Sequence, residues 1–319
     1  MRNVYFNHDG NVDDLVSLLL LLQVPGINLT GVGVIDGDGV VEPAVDASRK
    51  IIDRFNTHGH QLEVAQSDSR AHHQFPTAWR TSSYAFDSFP ILNERLAGGE
   101  PQTPIAPEPA HLDMVEKINA AEGKTTLVMT GPITDLARAL DADPGIEEKI
   151  ERVYWMGGSL DGHGNVRDPG FDGTAEWNAF WDPEAVKRVW DSGLAITMVG
   201  LESTEELPLD IELRDHLASL RRYPAIDLIG QGYALVLTAE ADSVYYLWDV
   251  LTTVCSMYPE VVESELVRCD VRVDGKAAGR TYRTSEGEGR EVTLVTRADK
   301  KRFYEIVDEL AMSAEPALY

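Results

Sequence analysis

The sequence predicts one α/β domain: an open, mostly parallel sheet flanked by helices, with a mostly helical C-terminal part. Short runs rich in β-branched residues alternate with helix-like segments from the N-terminus to about residue 200, the signature of a parallel sheet covered by helices. No repeat, low-complexity stretch or linker interrupts the 319 residues, so a single domain spans 1–319. Hydrophobic residues make up 43% and charged residues 25%, enough apolar material for a globular core.

Taken in order, Val4–Phe6 is a short strand. Asp13 to Leu22 (DDLVSLLLLL) consists of good helix formers and is apolar nearly all round, which predicts a buried helix. Ile27–Ile35 is β-branched and glycine-bearing, hence a strand. Glu42–Phe55 puts Ala44, Ala47, Ile51 and Ile52 on one helical face. Leu62–Val64 reads as a strand, and Ser67–Pro109, with prolines at Pro76, Pro90, Pro101, Pro104, Pro107 and Pro109, as a long irregular loop, the kind of segment that carries function or mobility. Helices are expected at Ala110–Ala121, Ile133–Leu140 and Pro183–Asp191, and strands at Thr125–Met129, Ile150–Met156 and Leu194–Val199. Leu209 to Ser256 looks largely helical. Val271–Val273 and Glu291–Val295 read as a late hairpin pair, and Ala298–Met312 as a closing helix.

The 28 Lys and Arg against 53 Asp and Glu give a net charge of −25. That balance argues against a nucleic-acid backbone or an anionic membrane as partner. It leaves cations and neutral small molecules open. The two cysteines, Cys255 and Cys269, have no CxxC spacing, which disfavours a disulfide framework and a thiolate zinc site. No signal-peptide pattern opens the chain, and the longest apolar run, Leu18 to Leu22, is far short of a membrane span. A cytoplasmic protein is expected.

The most informative segment is FNHDGNVDD, which sets Asp9, Asp13 and Asp14 at the junction of the first strand and helix. Ligands of open α/β sheets bind outside the carboxyl ends of the strands. Three carboxylates there repel one another unless a cation sits among them, and Ca²⁺ or Mg²⁺ takes such oxygens. Read locally, the acids serve equally well as helix-dipole partners, with Asp9 as the cap. The TGP turn at Thr130 exposes a carbonyl at another strand end. Gly157-Gly158-Ser159 opens a polar loop carrying Asn165, Glu176 and Asn178 and closing at Asp182-Pro183-Glu184. Such groups suit hydroxyls better than phosphate. The first turn lacks GxGxxG, which argues against a dinucleotide-binding dehydrogenase.

Together these segments resemble the inosine-uridine type nucleoside hydrolase family, whose motifs run D-x-D-P-G-x-D-D, T-G-P-L-T-N, M-G-G, G-N, E-x-N, D-P-E-A and a late Asp. Here they read Asn7-His8-Asp9-Gly10-Asn11-Val12-Asp13-Asp14, Thr130-Gly131-Pro132-Ile133-Thr134-Asp135, Met156-Gly157-Gly158, Gly164-Asn165, Glu176-Trp177-Asn178, Asp182-Pro183-Glu184-Ala185 and Asp249. The first Asp of the family motif is Asn7, and Gly10-Asn11 replaces Pro-Gly. Many members have His before the late Asp and Asn at the second strand's end; here those positions are Trp248 and Asp38. With Phe75-Pro76-Thr77-Ala78-Trp79-Arg80, these features look like the purine-specific branch, which prefers inosine, adenosine and guanosine.

The resemblance implies a Rossmann-like nucleoside hydrolase fold and Ca²⁺-dependent cleavage of purine ribonucleosides to base and ribose. It implies that Asp9, Asp14, Asp249 and the Thr130 carbonyl hold one Ca²⁺, which also takes the ribose 2′- and 3′-hydroxyls and a water. Asp9 is the implied general base. Asp13 and Asn178 hold the lower hydroxyls; Asn165 and Glu176 take the 5′ side. Trp79 and Trp248 sandwich the base, and Asp38 acts on its N7 side, as an anion stabilising the protonated purine or as a neutral acid donating the proton. Two alternatives stand: a pyrimidine-preferring or broad hydrolase, and a non-catalytic Ca²⁺- and riboside-binding protein. A homodimer is expected, as in much of the family.

Overall fold

Residues 1–96, 99–236, 244–316 and 318 are described by a computed structural model. Its strands are β1 (Arg2–His8), β2 (Ile27–Val34), β3 (Val64–Gln66), β4 (Thr125–Met129), β5 (Ile150–Met156), β6 (Ile196–Val199), β7 (Val262–Val271), β8 (Thr281–Arg283) and β9 (Arg290–Ala298). They form one sheet in the order β3-β2-β1-β4-β5-β6-β9-β7-β8. The first six are parallel, so their carboxyl ends share one rim. The late strands β7 and β9 pair antiparallel, and β9 joins β6 in parallel, attaching the C-terminal strands to the main sheet.

Side-chain alternation along β1 explains the two-sided core. Val4 and Phe6 enter one apolar cluster; Tyr5 enters the other. On the first face lie α1 (Val12–Leu21) and α2 (Val41–Phe55). Every residue of α1 is buried, which accounts for its lack of a polar face. The opposite face is covered by α6 (Ala110–Ala120), α7 (Thr134–Ala142) and α9 (Pro183–Trp190), reached after the short helices α3 (Thr77–Arg80), α4 (Ser82–Asp87), α5 (Pro90–Asn93) and α8 (Trp177–Trp181). The helical C-terminal part comprises α10 (Leu201–Thr204), α11 (Ile211–Leu220), α12 (Pro224–Leu235), α13 (Trp248–Met257) and α14 (Lys300–Ala314); residues 237–243 of the expected helical stretch lie outside those described.

Three expectations are corrected. The stretch 67–109, expected to be mostly irregular, holds three short helices, fastened by tertiary bonds such as Lys50 Nζ to Asp87 Oδ1 (2.7 Å) and Ser82 Oγ to Asn11 Oδ1 (2.6 Å). The third strand is Val64–Gln66, displaced from Leu62–Val64, because only Val64–Gln66 pairs with Val32–Val34. The late pair is longer and earlier than Val271–Val273: β7 starts at Val262, where exposed Glu263, Ser264 and Glu265 disguise a strand. Among the described residues, no helix is long and apolar enough to cross a membrane.

Candidate active site

Four parallel strands deliver the predicted residues to one rim. β1 runs into Asp9, β2 into the turn 36–39, β4 into Thr130 and β5 into Gly157-Gly158. Between Asp9 and α1 the chain turns at Gly10, whose φ of +78° suits glycine. Asn11 is extended and caps α1: its Oδ1 accepts from Val12 N (2.8 Å), and Asp14 Oδ2 accepts from Asn11 N (3.0 Å) in a capping box. The cap is therefore Asn11, not Asp9, and Asp9 is left facing the rim. Glycine makes room for it. A Cβ on Gly37 would stand 2.3 Å from Asp9 Oδ2, and one on Gly131 would stand 2.8 Å from Asp9 Cβ.

Asp13, Asp14 and Asp249 each present a carboxylate oxygen within 4.8 Å of the others; Asp9, predicted as a ligand with Asp14 and Asp249, stands outside that trio but close enough to feel the charges of Asp14 and Asp13. All four side chains are buried. Among the described residues, no Lys, Arg or His forms an ion pair with any of them. Their environment is correspondingly hostile to charge. Burial, then the charge of Asp14, holds the Asp9 carboxyl well above its usual range. Burial raises Asp13 and pushes Asp14 up to about 7. Burial, then Asp13, raises Asp249. Four crowded carboxyls without a protein cation form a site short of positive charge, and their hard oxygens suit Ca²⁺ or Mg²⁺. The donor set therefore fits a divalent cation.

Neutral donors hold the cage in shape. The Thr130 hydroxyl donates to Asp14 Oδ1 (2.5 Å), Tyr245 Oη to Asp13 Oδ1 (2.5 Å), and the Asp249 amide to Asp13 Oδ2 (3.2 Å). The Thr130 carbonyl accepts from Asn178 Nδ2 (3.3 Å), while Asn178 Oδ1 is buried without a partner. Glu176 caps α8, accepting from Asn178 N (2.9 Å), Ala179 N (3.2 Å) and Gly158 N (2.8 Å). Asn165 Oδ1 accepts from Trp177 N (3.0 Å). Both residues thus also have a backbone-organising task.

Asp38 sits beside Asp9: its amide donates to Asp9 Oδ2 (2.8 Å), its Oδ2 accepts from Asn11 Nδ2 (2.6 Å), and its Oδ1 is buried and unpartnered. Burial, then the charges of Asp9 and Asp13, holds its carboxyl well above the usual range. The two expected base-stacking indoles have separate neighbours. Trp79 is 39% exposed and meets Trp177 edge-on at 5.7 Å; Trp248 meets Tyr245 at 4.7 Å and keeps a buried, unpartnered Nε1. Trp79 and Trp248 are not in ring contact with each other among the described residues.

Two residues have roles that the sequence reading did not assign. Tyr245 is one; its three-residue offset from Trp248 in VYYLWDV was the available signal. Arg80 is the other. Its guanidinium donates to the Asp36 carboxylate, to Gly37 O (2.9 Å) and to Gly39 O (3.5 Å), so it binds the Trp79 helix to the turn carrying Asp38. Arg80→Gln is expected to cost about 1–3 kcal/mol of stability, the worth of charge-assisted hydrogen bonds, and to lower kcat; thermal denaturation and steady-state kinetics check both. His8, stacked on Phe6, is fully buried, and burial pushes its imidazole down to about 3.

The sequence profile of the inosine-uridine preferring nucleoside hydrolases matches residues 4–305. A crystal structure of an inosine-uridine preferring nucleoside hydrolase from Bacillus anthracis is 48% identical, covers 98% of this chain and 99% of that one, and superposes with a TM-score of 0.92. A probable uridine nucleosidase 2 of Arabidopsis thaliana is 25% identical over 82% of this chain and 79% of its own length. The pyrimidine-specific ribonucleoside hydrolase RihB of Escherichia coli is 26% identical over 64% of this chain and 61% of its own. With the acidic rim and the nine-stranded sheet, these likenesses make the chain a member of the inosine-uridine preferring nucleoside hydrolase family, an N-glycosidase acting on ribonucleosides.

Proposed function

We propose that the protein hydrolyses the N-glycosidic bond of purine ribonucleosides, with Ca²⁺ as its resident cation, as a cytoplasmic homodimer. The observation that carries the reading is the buried trio of Asp13, Asp14 and Asp249, with buried Asp9 beside Asp14, which no described protein cation neutralises. Asp9, Asp14, Asp249 and the Thr130 carbonyl would hold the ion. When bound, a divalent cation lowers the pKa of a water and orients a vicinal diol.

The remaining work belongs to side chains. Asp9 takes a proton from the attacking water, at the carboxylate that Asp38 N steadies. Asp13 accepts from a ribose hydroxyl, and Asn178, whose Oδ1 lacks a protein partner, accepts from the next. Asn165 and Glu176 bind the 5′ side. These oxygens stabilise the positive charge that grows on the ribosyl ring as the bond breaks. Trp79 and Trp248 stack on the leaving purine, and Asp38 faces its N7, either as the anion that stabilises the N7 proton or as the acid that gives it.

Purine preference is supported by Trp248 standing before the late Asp and by Asp38 at the β2 end. A pyrimidine or broad preference is favoured by the names of the curated relatives, a uridine nucleosidase and a pyrimidine-specific hydrolase. Ribose release from inosine, adenosine, guanosine, uridine and cytidine, with and without chelator, decides: faster uridine than inosine turnover overturns the purine reading. Trp248→Ala is expected to lower kcat/KM for inosine about tenfold or more, the scale of a desolvated cation–π contact, and to affect p-nitrophenyl riboside far less, because its leaving group needs no proton. Equal losses on both remove the leaving-group role.

A further inference from the structure

The first motif carries Asn7 where the family motif has Asp, and the TGP motif ends in Asp135 where the family motif has Asn. These two departures lie 128 residues apart, yet Asn7 Nδ2 donates to Asp135 Oδ2 at 3.2 Å. We infer that Asn7 and Asp135 form one carboxylate–amide pair with its members exchanged, and that Asp135 is a positioning residue for Asp9 and Thr130. The inference rests on the hydrolase reading above.

The geometry explains why exchange is tolerated and loss of either member is not. Asn7 follows Tyr5 on the α7 side of β1, and Asp135 is fully buried in the first turn of α7. Asp135 Oδ1 accepts from the hydroxyls of Ser67 and Ser69, both at 2.7 Å, leaving Oδ2 for Asn7. The first turn of a helix is favourable for an anion. Gly33 leaves the space that Asn7 fills, since a Cβ there would stand 2.6 Å from Asn7 Nδ2. The backbone carbonyl of Asn7 accepts from Thr130 N (3.0 Å), so the pair reaches the TGP turn through one bond and Asp9 through two residues of chain. An Asp at position 7 facing Asp135 would set two buried carboxylates in contact, which cannot both ionise cheaply. An Asn at 135, its Oδ1 still accepting from the two serines, would turn its NH2 toward the NH2 of Asn7 and set donor against donor, a clash that an Asp at position 7 removes. With the charge on residue 135, the strand leading to Asp9 gains no further anion.

The test compares the parent with Asn7→Asp, Asp135→Asn and the double exchange Asn7→Asp/Asp135→Asn. kcat and KM for inosine, the Ca²⁺ concentration giving half-maximal rate, and the melting midpoint are measured on each. Each single variant is expected to lose about tenfold or more in kcat, with a smaller change in KM, and the double exchange to return within about threefold of the parent. A double variant no more active than the worse single, or singles with parental kcat and parental Ca²⁺ dependence, overturns the inference. If the parent releases no ribose from any nucleoside, the hydrolase reading fails by itself, and the pair is read from midpoints alone: depressed singles and a restored double support it, additive losses overturn it. If a single variant does not fold, a cooperative melt in the double supports the pair and its absence overturns it.

Discussion

Asp9→Ala is expected to lower kcat by about three orders of magnitude, within the range seen when a general base is removed. The carboxylate is buried, its position is fixed by Asp38 N at 2.8 Å, and Gly37 and Gly131 pack so close that a Cβ on either would collide with it. Asp9→Asn is the sharper variant. It keeps an oxygen for the Asp38 amide while removing the proton acceptor, and the same loss is expected. Near-parental kcat in Asp9→Asn ends the base assignment. Stability gives an independent reading with the opposite sign. Asp9, Asp14 and Asp249 repel one another in the metal-free protein, so neutralising Asp9 relieves repulsion and raises the metal-free melting midpoint, while the stabilisation gained on adding Ca²⁺ shrinks. A variant that is inactive and also melts lower without metal has lost its structure rather than its base.

The core of this site was readable in the sequence because its determinants are local. The acids at 9, 13 and 14 follow a short strand directly, and the helix behind them is apolar on every side, so strand, turn and buried helix α1 come from a single stretch of sequence. What was not readable depends on partners far away. The four to six residues of α3, α4 and α5 are too few to be stable alone. They are helical because the 36–39 turn holds α3, Asn11 and Lys50 hold α4, and Arg54, donating to Ile91 O, holds α5. Most of β7 was missed for a related reason: four of its ten residues are exposed, and its pairing with β9 spans a separation that no local pattern reports. Arg80 looked like one letter of a motif until the structure joined it to three groups of the Asp38 turn. The Asn7–Asp135 contact likewise links two substitutions that are each uninformative alone.

Removing the cation should abolish turnover and make the protein's stability depend on pH in an unusual direction. The cage carboxyls are raised above their ordinary values by burial first, with Asp14 at about 7 against 3.8. Between those two values the folded, metal-free chain holds protons that the unfolded chain has released. Stability therefore falls as pH rises through this window, whereas ordinary paired carboxylates make it rise. Chelated protein should melt higher at pH 5 than at pH 7.5. Adding Ca²⁺ at about 100 times its Kd contributes about 2.7 kcal/mol, a shift of roughly 5 °C for a chain of this size. That shift should be larger at pH 7.5, because the ion binds the ionised form and displaces protons. Calorimetry in two buffers of different ionisation enthalpy measures the protons released. Equal midpoints at both pH values, or turnover that survives exhaustive chelation, would show that these carboxylates are neutralised by something other than a metal ion.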